Sequence, residues 1–236
     1  MILPKSKLTK LVGLIALPLV ILQLTSCTMT RLTAAARDGD VAKINELLNE
    51  GAKVDEPNPG GWGGGWSATP LYWSLFNCEF EAAELLLKKG ANANLADSFG
   101  SAPLHLAICC KDVDLSLIEH LIEKGADVNY KNTSDGLRSL HYAISCGSDD
   151  VARLLIEKGA DVNAIAIDGT TPLILAVKND SIFIAKLLLE KGADVNWRDM
   201  HKKNAMSYAK SIFAKKKKMI QLLESADSIR PVNKKE

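Results

Sequence analysis

The sequence predicts an all-α solenoid of about six helix-turn-helix repeats joined by turn-rich loops. Three observations carry that expectation. A Gly-Ala pair recurs at Gly51-Ala52, Gly90-Ala91, Gly125-Ala126, Gly159-Ala160 and Gly192-Ala193, in steps of 39, 35, 34 and 33 residues. A helix-opening motif recurs in phase with it, as Thr69-Pro70-Leu71-Tyr72, Ala102-Pro103-Leu104-His105, Arg138-Ser139-Leu140-His141 and Thr171-Pro172-Leu173-Ile174. Between motif and pair lie two apolar segments split by a polar break. Each is about two to three turns long, too short to persist alone in water, so copies must stack to bury their apolar faces.

The unit is cleanest at residues 168–196, which read DGTTPLILAVKNDSIFIAKLLLEKGADVN. Thr171 is placed to cap a helix beginning at Pro172, where the missing N–H costs nothing. Gly192 suits the left-handed residue that ends the second helix.

Residues 1–26 read as a leader outside the fold. Lys5, Lys7 and Lys10 precede an apolar run from Leu11 to Leu24, broken at Gly13, Pro18 and Gln23. That run is short and interrupted for a transmembrane helix. Leu24-Thr25-Ser26-Cys27 follows and resembles the lipobox of bacterial lipoproteins. The resemblance implies cleavage before Cys27 and a lipid on that cysteine; an ordinary secretory leader with a chance cysteine is the alternative. Thr28, where an Asp retains such proteins in the inner membrane, implies the outer membrane facing the periplasm. Residues 27–30 then form a lipidated N-terminus and a tether of about 10–14 Å, which holds the domain close to the bilayer.

The formal net charge of +1 argues against a whole-protein nucleic-acid binder. It is unevenly spread: residues 27–197 hold 15 basic and 24 acidic residues, and residues 198–236 hold 11 and 4. The repeat domain is expected over 31–227, with a flexible tail at 228–236. Its first copy, Leu32 to Asp55, and its sixth, Asn204 to Asp227, depart from the motif as caps do. Lys215 to Lys218 in the sixth read either as a solvated cap or as a contact for anionic lipid or an acidic partner.

The 39-residue step marks an insertion within residues 56–67, Gly-rich and carrying Trp62 and Trp66. The glycines predict a loop. Its tryptophans either fold back on the cap or anchor a partner.

The period, the Thr-Pro-Leu-His motif and the Gly-Ala-Asp-Val-Asn motif together resemble the ankyrin repeat. The resemblance implies β-turn finger loops between helix pairs. It also implies a concave partner surface built from those fingers and the ends of the first helices. It puts Trp66, Phe99, Asp135 and Asp168 in the fingers and Phe76, Asn77, Lys178 and Asn179 at the helix ends. The N-terminal half of that surface (Trp62, Trp66, Phe76, Phe99) is then aromatic and the C-terminal half polar. Trp73 aligns with Leu106 and Leu175 and is expected in the core. His105 and His141 are expected to bond the neighbouring finger rather than a metal.

Besides Cys27, four cysteines fall at the inter-helix turns of three consecutive repeats: Cys78, Cys109, Cys110 and Cys146. In an oxidising compartment they are expected to form disulfides, the alternative being four free small hydrophobes. Equivalent positions of stacked helices lie about 10 Å apart, beyond disulfide reach, so bridging needs staggered positions. The preferred pairing is Cys78–Cys109 and Cys110–Cys146.

No Gly-x-Ser-x-Gly, Walker loop, His-Glu-x-x-His or Cys-x-x-Cys occurs. No enzyme activity, cofactor or metal is expected. The expected function is protein binding in the bacterial envelope. Envelope ankyrin proteins with lipoprotein signals resemble immunity proteins that neutralise periplasm-acting toxins, lipases among them. The alternative is a scaffold or stress-protection factor that holds a periplasmic enzyme.

Overall fold

A computed structural model describes residues 29–58, 68–211 and 217–229. The described residues hold twelve α-helices and no strand, an all-α repeat solenoid. The pairs are α1 (Arg31–Arg37) with α2 (Val41–Asn49), α3 (Pro70–Phe76) with α4 (Phe80–Lys88), and α5 (Pro103–Cys109) with α6 (Leu115–Glu123). They continue with α7 (Ser139–Cys146) and α8 (Asp149–Glu157), α9 (Pro172–Asn179) and α10 (Ile182–Glu190), and α11 (Ala205–Ser211) and α12 (Lys217–Ile229). First helices touch first helices in chain order and second helices touch second helices, which makes two layers. Helix α12 continues through Ser228 and Ile229, where the tail was expected to begin.

The opening motif works as a helix start. Thr69 and Thr171 accept backbone N–H groups of Tyr72 and Ile174 on their hydroxyls, at 3.3 and 3.4 Å. Pro70, Pro103 and Pro172 take the first helical position. Helix α7 departs from this pattern. Ser139 stands where the others have proline, and its hydroxyl is buried without a hydrogen-bond partner. Arg138 before it is already extended, as a residue preceding proline must be. Ser139→Pro is therefore expected to raise stability by about 1–2 kcal/mol, by removing a desolvated hydroxyl and restricting the unfolded chain. Urea unfolding checks this; a lowered midpoint would refute it.

Packing follows from small residues at one register position. Ala35, Ser74, Ala107, Ala143, Ala176 and Ala209 occupy equivalent places in successive first helices and are all buried. They let the helices approach closely. Larger residues one turn apart (Leu71 and Leu75, Leu104 and Ile108, Leu140 and Ile144) fill the space between the layers.

The closing motif ties each repeat to the next through one side chain. Asn129 donates its amide to the Gly159 carbonyl at 3.1 Å and accepts the Asp161 N–H at 2.8 Å. Asn94 does the same with Gly125 and Asp127, and Asn163 with Gly192 and Asp194. Asn196 ends the ladder on the Asp227 carboxylate in α12. The glycine carbonyls reach these amides because Gly125, Gly159 and Gly192 sit at φ near +90°, where a side chain is disfavoured.

The fingers are tight turns closed by Asp97 N–H to Ser101 O, Asn132 to Leu137, Ala166 to Thr170 and Asp199 to Lys203, at 2.9–3.1 Å. Neighbouring fingers bond to one another. Ile167 N–H donates to Asp135 O at 2.9 Å, and Met200 N–H donates to Asp168 O at 3.1 Å. Thr133 and Ser134 hydroxyls both donate to Phe99 O at 2.9 Å. The insertion is closed at its base by Asn58 N–H to Ala68 O at 3.0 Å. Trp62, Trp66, Cys27, Lys215 and Lys216 lie outside the described residues.

Candidate protein-binding surface

Three aromatic residues of α3 form the densest feature of the N-terminal half. Phe76 packs edge-on to Trp73 with ring centres 5.6 Å apart and stacks on Tyr72 at 6.1 Å. Tyr72 is buried, whereas Trp73 and Phe76 are half-buried. This corrects the core assignment of Trp73: like Leu106, Tyr142 and Tyr208 at the same register it is half-buried, and its indole packs on Phe76. Asn77 next to it is exposed and donates its amide to Trp73 O at 3.2 Å. Phe99 stands on the adjoining finger, 47% exposed.

Carboxylates on the fingers are braced by phenols on the helices. Tyr72 donates to Asp97 Oδ2 at 2.8 Å and Tyr142 to Asp135 Oδ2 at 3.3 Å, and Tyr208 does likewise to Asp199. Burial pushes the Tyr72 and Tyr142 phenols well above their ordinary range, and the facing carboxylates add to this. These hydroxyls remain protonated donors at any ordinary pH.

Several residues expected to face a partner are engaged within the chain. Asp168 accepts both the N–H and the hydroxyl of Thr170, at 2.9 and 2.8 Å. Asp135 accepts the Leu137 N–H as well as the Tyr142 phenol. Asn179 donates its amide to Ile144 O at 2.7 Å, capping the end of α7. Lys178 holds its ammonium 4.3 Å from the Tyr208 ring centre. These four side chains thus also brace the surface from within the chain.

The C-terminal half was expected to be polar, and it is not polar throughout. Ile165, Ile167, Trp197 and Met200 are exposed on its fingers. The expectation rested on Asp135 and Asp168 of the fingers and on the helix ends, and did not include the apolar residues exposed beside them on the same turns.

His105 and His141 each link a helix start to a neighbouring finger. Their Nδ1 atoms accept the N–H of Ala102 and Arg138, at 3.3 and 3.2 Å. Their Nε2 atoms meet the carbonyls of Tyr130 and Thr170, at 3.2 and 3.3 Å. Since a carbonyl only accepts, Nε2 carries the proton and the ring is neutral. Burial lowers both to about 4. Among the described residues no group of three or more His, Cys, Asp or Glu is arranged to hold a metal.

The cysteines pair as Cys78–Cys110 and Cys109–Cys146, with Cα atoms 5.7 Å apart in each. This exchanges the partners expected for Cys109 and Cys110. Cys110 corresponds to Cys146 in register, so that expected pair was not staggered at all. Helix α5 ends at Cys109, and Cys110 leaves it extended (φ −65°, ψ 134°), entering a longer turn that reaches αL geometry at Asp112. Leaving the helix turns Cys110 inward toward the preceding repeat, while Cys109 stays exposed beside the next. Each bridge then joins positions offset by one.

On the opposite layer, a shallow groove of about 480 Å³ runs between α2, α4 and α6, floored by Val41, Phe80, Leu85 and Leu117. Glu84 at its edge lies 2.7 Å from His120 Nδ1 and 4.0 Å from Lys88 Nζ.

This architecture defines a repeat scaffold. A family model described as ankyrin repeats (3 copies) matches residues 32–132, 81–166 and 106–199, more than half of the chain. The chain belongs to the ankyrin-repeat family, whose repeats serve as protein-binding scaffolds. It is 41% identical to a putative ankyrin repeat protein of Rickettsia felis, over 53% of this chain and 39% of that one. It is 37% identical to the nuclear factor NF-kappa-B p105 subunit of Gallus gallus, over 46% of this chain and 14% of that one. It is 30% identical to the putative palmitoyltransferase ZDHHC13 of Danio rerio, over 60% of this chain and 21% of that one. The chain thus spans well under half the length of these relatives.

Proposed function

We propose that this chain is a non-enzymatic binding protein of the bacterial envelope, lipid-anchored through Cys27, which neutralises a periplasm-acting toxin such as a lipase by covering it. The observation that carries this reading is the pre-formed aromatic rim of Trp73 and Phe76, set beside turns cross-linked by Cys78–Cys110 and Cys109–Cys146. Aromatic anchors on a rigid support bind with little ordering cost. Disulfides between repeats also fit an oxidising compartment better than a reducing one. The Leu24-Thr25-Ser26-Cys27 motif supports the anchor. Anchoring beside the bilayer would place the inhibitor where a phospholipase works.

The test is affinity capture from an envelope extract with the lipid-free chain as bait, followed by co-expression with the captured toxin. Phe76→Ala is expected to weaken capture by about 2 kcal/mol while leaving the melting curve nearly unchanged. Recovery of no toxin, together with no protection, would sink the reading. Capture of a resident envelope enzyme would favour the scaffold alternative.

A further inference from the structure

The fingers carry a second surface, distinct from the concave rim. Along each finger the extended residues alternate between the core and the outside. Asn132, Ala164, Ala166 and Asp199 are buried; Lys131, Thr133, Ile165, Ile167, Arg198 and Met200 are exposed. Bonds between fingers, Ile167 N–H to Asp135 O and Met200 N–H to Asp168 O, bring these outward rows side by side. Gly136 lets Lys131 and Ile167 close over it; a Cβ there would lie 3.0 Å from Ile167 Cγ1 and 3.2 Å from Lys131 Cε.

The outward face is therefore apolar at its centre and cationic at its sides. Ile167 and Met200 are 61% and 64% exposed. Five of the seven exposed large apolar side chains among the described residues lie on the fingers: Phe99, Ile165, Ile167, Trp197 and Met200. Trp197 has its one polar atom satisfied, donating Nε1–H to Gly169 O at 2.9 Å. The acids nearby, Asp135 and Asp168, are bonded within their own turns. The basic residues Lys131, Arg198 and Lys202 are exposed.

We propose that the outward face of the fingers at residues 131–137, 165–170 and 197–203 seats on an anionic lipid surface. Ile167 and Met200 enter between headgroups, and Lys131, Arg198 and Lys202 meet lipid phosphates. Charge complementarity selects an anionic occupant. A bilayer fits better than an acidic protein because the apolar side chains project from turn tips with cations flanking them, and line no concavity. Such side chains partition to the interface, each nearby cation adding attraction to anionic headgroups. The three finger segments carry Lys131, Arg198, Lys202 and Lys203 against Asp135, Asp168 and Asp199, and the acidic body beyond them is screened over about a Debye length of 8 Å. The seat is independent of any acyl chain on Cys27 and adds a second point of attachment to an anchored chain.

The test is co-sedimentation of the full chain carrying Cys27→Ser with phosphatidylcholine vesicles, with and without about one third phosphatidylglycerol, at low and physiological salt. Every variant keeps the same N-terminal segment, so differences between variants report the fingers. Ile167→Asp with Met200→Asp is expected to weaken partitioning at least about tenfold. Lys131→Gln with Arg198→Gln is expected to weaken it roughly thirtyfold on phosphatidylglycerol vesicles and little on phosphatidylcholine alone. These side chains are exposed, and unchanged circular-dichroism melts will confirm that the variants fold. Equal partitioning of all variants, or no preference for phosphatidylglycerol, overturns the proposal. Loss of a captured protein partner in the Ile167→Asp variant, with vesicle binding unchanged, assigns the face to a protein and also overturns it. Capture by the Phe76 rim is scored separately, so failure here leaves the inhibitor reading standing, and the reverse holds.

Discussion

Cys109→Ser with Cys146→Ser unfolds at a clearly lower urea concentration than the parent chain, a loss of about 3–4 kcal/mol. Cys78→Ser with Cys110→Ser loses a similar amount. The bridges close loops across sequence separations of 37 and 32 residues, and loops of that size remove comparable entropy from the unfolded chain. Repeat arrays feel such a loss directly, since their stability is a sum of repeat and interface contributions. The comparison is urea unfolding of oxidised and dithiothreitol-treated chain, alongside titration of free thiols. Superimposable curves, or four free thiols in the untreated chain, would remove both bridges from the account. Peptide mapping under non-reducing conditions reads the pairing itself and separates Cys78–Cys110 from Cys78–Cys109.

Acidification from pH 7 to pH 5 destabilises the chain through His105 and His141. Burial holds both neutral, with values lowered to about 4, against about 6.5 in an unfolded chain. Above about 6.5 neither state takes the proton, and the contribution to stability is complete. Between 6.5 and 4 the unfolded state is protonated while the folded state is not, so stability falls as pH falls. Below about 4 the loss levels off, at up to about 3 kcal/mol for each ring. Urea midpoints measured between pH 7 and 5 lie mostly above the carboxylate range and isolate this effect. The variant His105→Gln with His141→Gln starts less stable, because it gives up contacts to the neighbouring fingers, and shows a flatter slope. An equal slope in both proteins would mean that the two rings are not the source.

The repeats were legible because each is dictated by residues close together in sequence. Thr171-Pro172 starts a helix and Gly192 ends one, whatever lies elsewhere in the chain. The finger bonds of His105 and His141 were expected only through the resemblance of their motif to the ankyrin repeat, and their bonds to the helix starts at Ala102 and Arg138 were not foreseen. The cysteine pairing was not, because it turns on whether Cys110 stays helical, and nothing in Cys109-Cys110-Lys111-Asp112 states that locally. Trp73 was misplaced because its register position, shared with Leu106, Tyr142 and Tyr208, lies at the edge of the core, and alignment gives register but not depth. The outward finger face was hidden in Ala164-Ile165-Ala166-Ile167. All four residues are apolar, so the in-and-out alternation leaves no polar trace and shows only in side-chain size. Asp135, Asp168 and Asn179, expected as contacts, also serve bonds within the chain, which the sequence alone does not reveal.

Two bridges that use adjacent residues have a consequence for how the chain responds to cleavage. Any single peptide-bond cut between Cys78 and Cys146 leaves both fragments joined, including a cut between Cys109 and Cys110, which both bridges span. A cut beyond Cys146 has no such insurance and can release the fifth and sixth repeats. Resistance to proteases is thus unevenly distributed along the molecule. The aromatic rim stays covalently attached to the nicked stretch, while the C-terminal fingers are held on by packing and hydrogen bonds alone.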